Sequence, residues 1–354
     1  RVSIVPSGVE ELISSGHIVL VEKNAGIGSG FSDDLYRKSG AKIVESSSEV
    51  FHKADMIVKV KEPQKEEYPL IRENQIVFTY FHFAADKNLL NAMIDSKATC
   101  VAYETVESNN KLPLLIPMSE VAGRLAVING SKCLESNMGG KGKLISGVSG
   151  VEPANVLVLG GGIVGSNAAK LASGLGANVY ILDINMDNLR YLDDIMPENV
   201  HTIHSNRHIL KELLPKIDLL IGAVLIVGAK APKLIDRELL SIMKSGSVVV
   251  DVSVDQGGCI ETTKPTTHTE PTFIEEGVVH YCVANMPGAV PYTSTIALCN
   301  ATFNYVKELA NHGMNIFRTN SELLAGLNTV DGHITHEAVA ESFNLKYTNP
   351  LELI

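Results

Sequence analysis

The segment Asn155–Gly165 reads NVLVLGGGIVG. Gly160, Gly162 and Gly165 stand in G-x-G-x-x-G spacing, behind the apolar run Val156–Leu159 and ahead of a helix-like stretch, Ile163–Ser173. Each glycine answers a separate demand of phosphate binding. Gly160 permits a tight turn, Gly162 lets the backbone approach a pyrophosphate, and Gly165 lets the next helix pack close to the strand. The free N–H groups and positive dipole at the start of that helix favour phosphate oxygens. A second apolar run, Val179–Leu182, ends in Asp183. An acid at that position hydrogen-bonds the adenosine ribose hydroxyls, and it would repel a 2′-phosphate. The chemistry indicated is dinucleotide binding, with NAD favoured over NADP.

Other reactive side chains carry weaker signals. His82 follows an apolar strand-like run and precedes a helix-like one, Lys61 stands at a strand end, and Asp255 lies just past the run Val248–Val252. Strand C-termini line the ligand crevice of such sheets, which makes Asp255 a candidate for chemistry beside a nicotinamide. Taken alone, His82 also reads as a structural histidine, Lys61 as a solvated lysine and Asp255 as a loop carboxylate. His201, His204 and His208 have a spacing that suggests metal ligation, but they fall between two expected strands with no cysteine or carboxylate pattern to complete a zinc site. His333-x-x-His336-Glu337 lacks the H-E-x-x-H order of a zinc-protease helix. No metal is expected, and no Ser–His–Asp arrangement or nucleophile elbow is visible.

The elements that must position these residues alternate between short strands and helices. In the first region His17–Val21, Lys42–Glu45, Met56–Val60, Ile76–Phe81 and Thr99–Tyr103 read as strands. Ser7–Ser15 and Asp86–Ser96 read as helices, and Ser32-Asp33-Asp34 starts another with carboxylates at its positive end. In the second region the strands are Val156–Leu159, Val179–Leu182, Leu219–Ile221, Val248–Val252 and Val279–Val283. The Gly-, Lys- and Ser-rich Asn137–Gly150 reads as an exposed hairpin or loop, and Thr295–His312 as a helix. Such alternation implies an α/β protein with mostly parallel sheets covered on both faces. If the C-terminal helix returns to the first region, the chain crosses twice between two domains, leaving a cleft in which ligands would sit.

Composition agrees with a folded α/β chain and excludes several classes. The chain has 354 residues, 45% of them apolar and 20% charged. That is too long for one ordinary core and suits two domains. A net charge of −10 disfavours nucleic acid as a partner. No apolar run reaches the roughly 18 residues of a membrane span. The five cysteines are scattered and odd in number, with no C-x-x-C pair. Buried thiols in a reducing, cytoplasmic setting are therefore expected. The chain begins at Arg1 without a Met, and no signal peptide is visible.

A family resemblance covers nearly the whole chain. Lys59–Pro63 (KVKEP), Tyr103-Glu104-Thr105, Pro117–Arg124 (PMSEVAGR), the Gly160–Gly165 loop, Gly222–Lys230 (GAVLIVGAK), Asp255–Cys259 (DQGGC) and Val283–Pro287 (VANMP) together resemble alanine dehydrogenase, in the alanine dehydrogenase and pyridine nucleotide transhydrogenase family. The resemblance implies two Rossmann-like domains separated by a cleft. Residues 1–117 and 292–354 would form the catalytic domain and residues 118–291 the NAD-binding domain. It implies that Arg1 grips the substrate carboxylate, that Lys61 binds the substrate oxygens and that Met118 lines the substrate pocket. His82 and Asp255 would be catalytic. Ser119 would lie near the nicotinamide and Ser205 near the adenine half, with Gly160, Gly162, Gly165, Asp183, Val224 and Asn285 completing the cofactor site. The family has an edge strand ahead of the position matched by Arg1, so residues before Arg1 are expected to be missing here. It also often carries a basic residue where this chain has Asn188, which implies a neutral contact.

The implied reaction is reversible oxidative deamination of L-alanine to pyruvate and ammonium, by a cytoplasmic homo-oligomer, as a hexamer. Arginine suits the carboxylate because its planar fork binds both oxygens. Lysine stabilises a developing alkoxide, and histidine titrates near neutrality and can move the proton of an attacking water. The competing readings are a transhydrogenase-like hydride carrier that depends on a partner, a catalytically inactive NAD-binding regulator, and a saccharopine dehydrogenase. The carrier lacks the histidine found here as His82, and retention of Lys61, His82 and Asp255 together argues against an inactive regulator.

Overall fold

The structure is a computed structural model that describes residues 1–224 and 231–354, so the Leu225–Lys230 part of the Gly222–Lys230 segment lies outside the described residues. The chain divides into two compact units, Arg1–Met118 with Val290–Ile354, and Ser119–Ala289. The N-terminal strands are β1 (Leu20–Glu22), β2 (Lys42–Val44), β3 (Met56–Val58), β4 (Ile76–Thr79) and β5 (Thr99–Ala102). The second unit holds β6 (Asn155–Leu159), β7 (Asn178–Asp183), β8 (Val200–His204), β9 (Leu219–Gly222), β10 (Val248–Asp251), β11 (Thr272–Glu275) and β12 (Val278–Tyr281). The chain then returns to the first unit through helix Pro291–His312 and adds β13 (Leu327–Val330) and β14 (His333–Ile334).

In the first unit the order is β14-β13-β5-β4-β3, with a separate β1-β2 pair. Pairing is parallel from β3 through β5 and antiparallel at β13. Successive residues of a strand face opposite sides, and the two cores divide accordingly. Ile76, Phe78, Tyr80, Val101, Tyr103 and Leu327 pack into one core. Val77, Phe81, Cys100 and Ala102 pack into the other, against Phe51, Leu90 and Met93. In the second unit the order is β11-β12-β10-β9-β6-β7-β8, parallel throughout except for the edge hairpin β11-β12. From β8 inwards this is the doubly wound order, with its switch point between β6 and β9, where ligands of open α/β sheets bind. The expected α/β class with mostly parallel sheets matches what is observed.

Local chemistry sets the element ends. The Ser32 hydroxyl accepts from Leu35 N–H at 3.4 Å, and Asp33 and Asp34 occupy the first turn. Asp86 caps helix Lys87–Ser96, accepting from the N–H groups of Asn88 and Leu89 at 2.8 and 3.2 Å. Several strand ends differ from the sequence reading by a residue or more, and two of these have a plain local cause. His17 is not in β1, because its N–H still closes the preceding helix on Leu12 O at 3.0 Å. β4 stops at Thr79: Tyr80 N–H still reaches Val60 O at 3.4 Å, but the amides of Phe81 and His82 leave the ladder for the Glu104 carboxylate. A further difference concerns the histidine cluster. His201 and His204 lie within β8 rather than between strands, and His208 is in helix Arg207–Leu213. β8 is a polar edge strand, VHTIH, so it lacked the apolar signature of its neighbours.

The segment Asn137–Gly150 is pinned rather than merely exposed. Lys141 Nζ and Lys143 Nζ meet the two oxygens of the buried Asp218 at 2.5 and 2.9 Å, and Asn155 N–H donates to the second of them at 2.8 Å. Burial alone would raise the Asp218 carboxyl, but these donors outweigh it and hold the group below its ordinary value.

Candidate active site

The glycine loop is built by the absence of side chains. Gly160 has φ of +94°, and a Cβ there would lie 2.8 Å from the carbonyl oxygen of Ala223, at the end of β9. A Cβ on Gly165 would fall 1.8 Å from the carbonyl oxygen of Gly160. A Cβ on Gly162 would meet nothing within 4 Å. Gly162 is the N-cap of helix Ile163–Gly174, and no side chain caps that helix. Its first N–H groups therefore face an open, bare backbone surface, which is what the oxygens of a pyrophosphate require.

Asp183 stands at the end of β7, beside the loop. Its Oδ2 accepts from Gly161 N–H at 2.8 Å and from Asn188 Nδ2 at 3.0 Å, and its Oδ1 accepts from Asn185 N–H at 2.9 Å. Asn188 Nδ2 also donates to Gly161 O at 3.1 Å. One side-chain amide thus joins the acid to the loop, and Asn188 contributes orientation in addition to the neutral contact expected of it. Two carboxylate oxygens offer about four lone-pair sites, so a ribose diol can still be accepted there. Ser205 is half-buried, and its N–H donates to Asp183 O at 2.9 Å.

The neighbouring strand ends supply the remaining residues of the second unit. Val224 is half-buried, and its carbonyl accepts from Ser253 Oγ at 2.7 Å. Asp255 is exposed in the short 3-10 helix Val252–Gln256 that follows β10. Its Oδ2 accepts from Asn285 N–H at 3.2 Å, with Asn285 exposed at φ +56°. The structure therefore brings Asp255 and Asn285 together. Ser119 is half-buried in helix Ile116–Cys133.

In the first unit, His82 ends the run Tyr80-Phe81-His82 in a left-handed backbone, φ +54° and ψ +39°. That conformation costs a non-glycine residue roughly 1–2 kcal/mol, so the surroundings must enforce it. Phe81 and Phe83 are buried on either side, their rings stacked at 4.5 Å, while His82 between them is exposed. Glu104, just beyond β5, accepts from Phe81 N–H at 3.1 Å and from His82 N–H at 2.5 Å. The imidazole lies parallel to the Tyr80 ring at 5.9 Å, and the Tyr80 hydroxyl donates to Leu114 O at 2.5 Å.

Arg1 Nη1 contacts Met118 Sδ at 3.1 Å, and burial pushes its guanidinium below the ordinary value, with Tyr80 partly offsetting that. Ser3 Oγ donates to Val58 O at 2.7 Å and holds this segment against β3. Lys61 is exposed and pairs with Glu62 at 3.1 Å, while its carbonyl accepts from Thr79 Oγ1 at 2.9 Å, tying it to the end of β4. Arg1 and Met118 are in contact, whereas no contact joins Lys61 to His82 among the interactions described. The five cysteines are buried and unpaired. Burial pushes Cys133 up to about 11 and Cys100 up to about 12, which favours the protonated thiol at both.

Known proteins share both halves of this arrangement. The Alanine dehydrogenase/PNT N-terminal domain matches residues 1–122, and the Alanine dehydrogenase/PNT C-terminal domain matches residues 126–337. The chain belongs to the alanine dehydrogenase/PNT family. The second match runs past Ala289 into the first compact unit, so the family's sequence division and the compact units differ at that end. An alanine dehydrogenase of Methanococcus maripaludis is 52% identical over 98% of this chain and 94% of its own length. A solved L-alanine dehydrogenase superposes with a TM-score of 0.95 at 48% identity, covering 97% of this chain and 95% of the other. A transhydrogenase from Sinorhizobium meliloti superposes at 0.81 with 25% identity, covering 96% of each chain. Two family members with different printed activities thus share this backbone, and the first group is much nearer in sequence.

Three residues of the site could not be read for a role from the sequence. Glu104 stood within a matched segment, but its bonds cross from β5 to the end of β4. Tyr80 read as strand core and Asn188 as a neutral substitute. Local spacing carries no trace of such cross-strand contacts.

Proposed function

We propose that this chain catalyses the reversible, NAD-dependent oxidative deamination of L-alanine to pyruvate and ammonium. The observation that carries this reading is that one chain holds both a bare glycine loop beside Asp183 and an exposed histidine locked in a left-handed turn. The 52% identity to an alanine dehydrogenase over nearly the full length supports alanine as the substrate.

The dinucleotide fits the second unit, where Gly160, Gly162 and Gly165 would receive its pyrophosphate and Asp183 its ribose, with Ser119, Ser205, Val224 and Asn285 as further contacts. When bound, the nicotinamide accepts the hydride that leaves Cα of alanine. The residues of this chain do the rest. Arg1 holds the carboxylate of alanine with its planar fork. Met118 touches Arg1 and shapes the methyl side of the pocket. His82 removes a proton from the water that attacks the resulting iminium carbon, and Lys61 stabilises the oxygen as it gains negative charge. Asp255 assists that proton transfer or orients the water. Ammonia leaves when the carbinolamine collapses, and His82 returns its proton. In the reverse direction the same groups assemble the iminium from pyruvate and ammonia. We place the enzyme in the cytoplasm as a homo-oligomer, a hexamer by family resemblance.

A panel of 2-oxo acids with ammonium and NADH, run on the purified chain with no membrane present, tests the proposal. Pyruvate should be consumed fastest and yield L-alanine. Oxidation of NADH only when a second nucleotide or a membrane fraction is added would favour the transhydrogenase-like reading instead.

A further inference from the structure

We infer that Glu104 is a positioning residue, one that sets the aim of the His82 imidazole by holding the left-handed backbone at His82. The inference rests on the proposed function, because it assigns the turn a purpose in proton transfer. The geometry is specific. Beyond Thr79, the amides of Phe81 and His82 leave the β-ladder, and both donate to the Glu104 carboxylate, Phe81 to both oxygens at 3.1 and 3.2 Å. A carboxylate that accepts several backbone N–H groups acts as a fixed template, since charge-assisted bonds are short and strong. Glu104 is itself anchored. It sits in a 3-10 turn, Tyr103–Thr105, whose Tyr103 is fully buried and whose Thr105 accepts from Asn328 Nδ2 at 2.7 Å.

The consequence follows from covalent geometry. Phe81 and Phe83 are buried and stacked, so the chain on both sides of His82 cannot move freely. The direction of the Cα–Cβ bond then depends on φ and ψ at His82 alone. A left-handed residue relaxing towards the right-handed or extended region would swing the imidazole off the Tyr80 ring, where it now lies parallel with an interplanar angle of 7°. A misplacement of about 1 Å in a reacting group costs about 10²-fold in rate. Glu104 therefore acts through His82 without touching substrate.

The test is a double-mutant cycle read by turnover, NADH affinity and thermal unfolding. Glu104→Ala should lower kcat for pyruvate with ammonium by about 10- to 10²-fold, with NADH affinity unchanged, because the glycine loop and Asp183 belong to the other unit. Glu104→Gln keeps an acceptor oxygen in the same place and should recover most of that loss, which also covers the case in which the alanine variant is too unstable to assay. In a His82→Asn background, Glu104→Ala should cost no further activity. Multiplicative losses in the double variant would overturn the inference, as would a Glu104→Ala enzyme with normal turnover. If the unsubstituted enzyme fails to turn over pyruvate, the functional reading falls. If it turns over and only the cycle fails, the functional reading stands and the role of Glu104 falls.

Discussion

Two turns carry the chemistry proposed for this protein, and they are shaped by opposite means. The Gly160–Gly165 turn works by subtraction: side chains are removed wherever the backbone must bend, pack closely or face a ligand. The His82 turn works by constraint. It keeps a bulky residue in a conformation that glycine would adopt freely, between two buried phenylalanines and with its amide on a carboxylate from the turn that follows the neighbouring strand. A phosphate needs bare N–H groups, whereas an acid–base group needs a side chain held on aim. On the proposed function, the ligand would account for the first turn and the reaction for the second.

The comparison breaks most readily at His82. His82→Asn keeps a polar group of similar size that does not titrate. Turnover of pyruvate with ammonium should fall by roughly 10²–10⁴-fold. Near-normal turnover would return His82 to a structural role. If instead Asp255→Asn abolishes turnover and His82→Asn does not, the proton is carried by Asp255.

At the other turn, Asp183→Ala removes an acceptor of ribose hydroxyls and of Gly161 N–H. Charge-assisted bonds are worth about 1.5–3 kcal/mol, so NAD should bind roughly 10- to 10²-fold more weakly and discrimination against NADP should relax. An unchanged NAD/NADP preference would show that Asp183 is not the ribose ligand. The glycines should divide by what lies beside them. Gly165→Ala forces a Cβ against the Gly160 carbonyl and should destabilise the protein by about 1–3 kcal/mol or more, seen as a lower urea midpoint. Gly162→Ala points into open space and should leave that midpoint unchanged while weakening NADH binding, because the added methyl stands where the pyrophosphate would approach the backbone.

The order in which these residues could be read follows from the same contrast. Subtraction is written locally: three glycines at fixed spacing, then an acid at the end of the next strand, are visible in the chain and predict their own geometry. The alternation of Ile76, Phe78 and Tyr80 with Val77 and Phe81 was equally legible, because burial on two faces repeats every second residue. Constraint is written across the fold. Nothing near His82 in sequence announces that Glu104 will take its amide, and without that bond β4 would be expected to run on to Phe81. The polar edge strands β8 and β11 were missed for a related reason, since pairing on one side only demands little apolar sequence.

The smallest effect concerns a histidine outside the proposed site. His280 is buried in β12, with Nδ1 on Val278 O at 2.9 Å and Nε2 on Thr262 Oγ1 at 2.8 Å. Burial lowers it from the ordinary 6.5. The folded state then binds fewer protons than the unfolded state, so its contribution is fully present above pH 6.5 and is lost as pH falls below that value. Folding stability should decline on acidification by at most about 1.4 kcal/mol per pH unit for this group. His280→Gln should flatten that slope in urea titrations even though it lowers stability throughout. An unaltered slope would place the acid sensitivity elsewhere, with the half-buried His336, which desolvation also lowers, the next group to test.

The most direct test of a division of labour between the two turns is an NADH fluorescence titration of His82→Asn and Gly162→Ala, set beside the unsubstituted chain. The account predicts that His82→Asn binds NADH as tightly as the parent although it barely turns over, and that Gly162→Ala binds weakly although it is folded as stably. Weakened NADH binding in His82→Asn, or parental binding in Gly162→Ala, would contradict it.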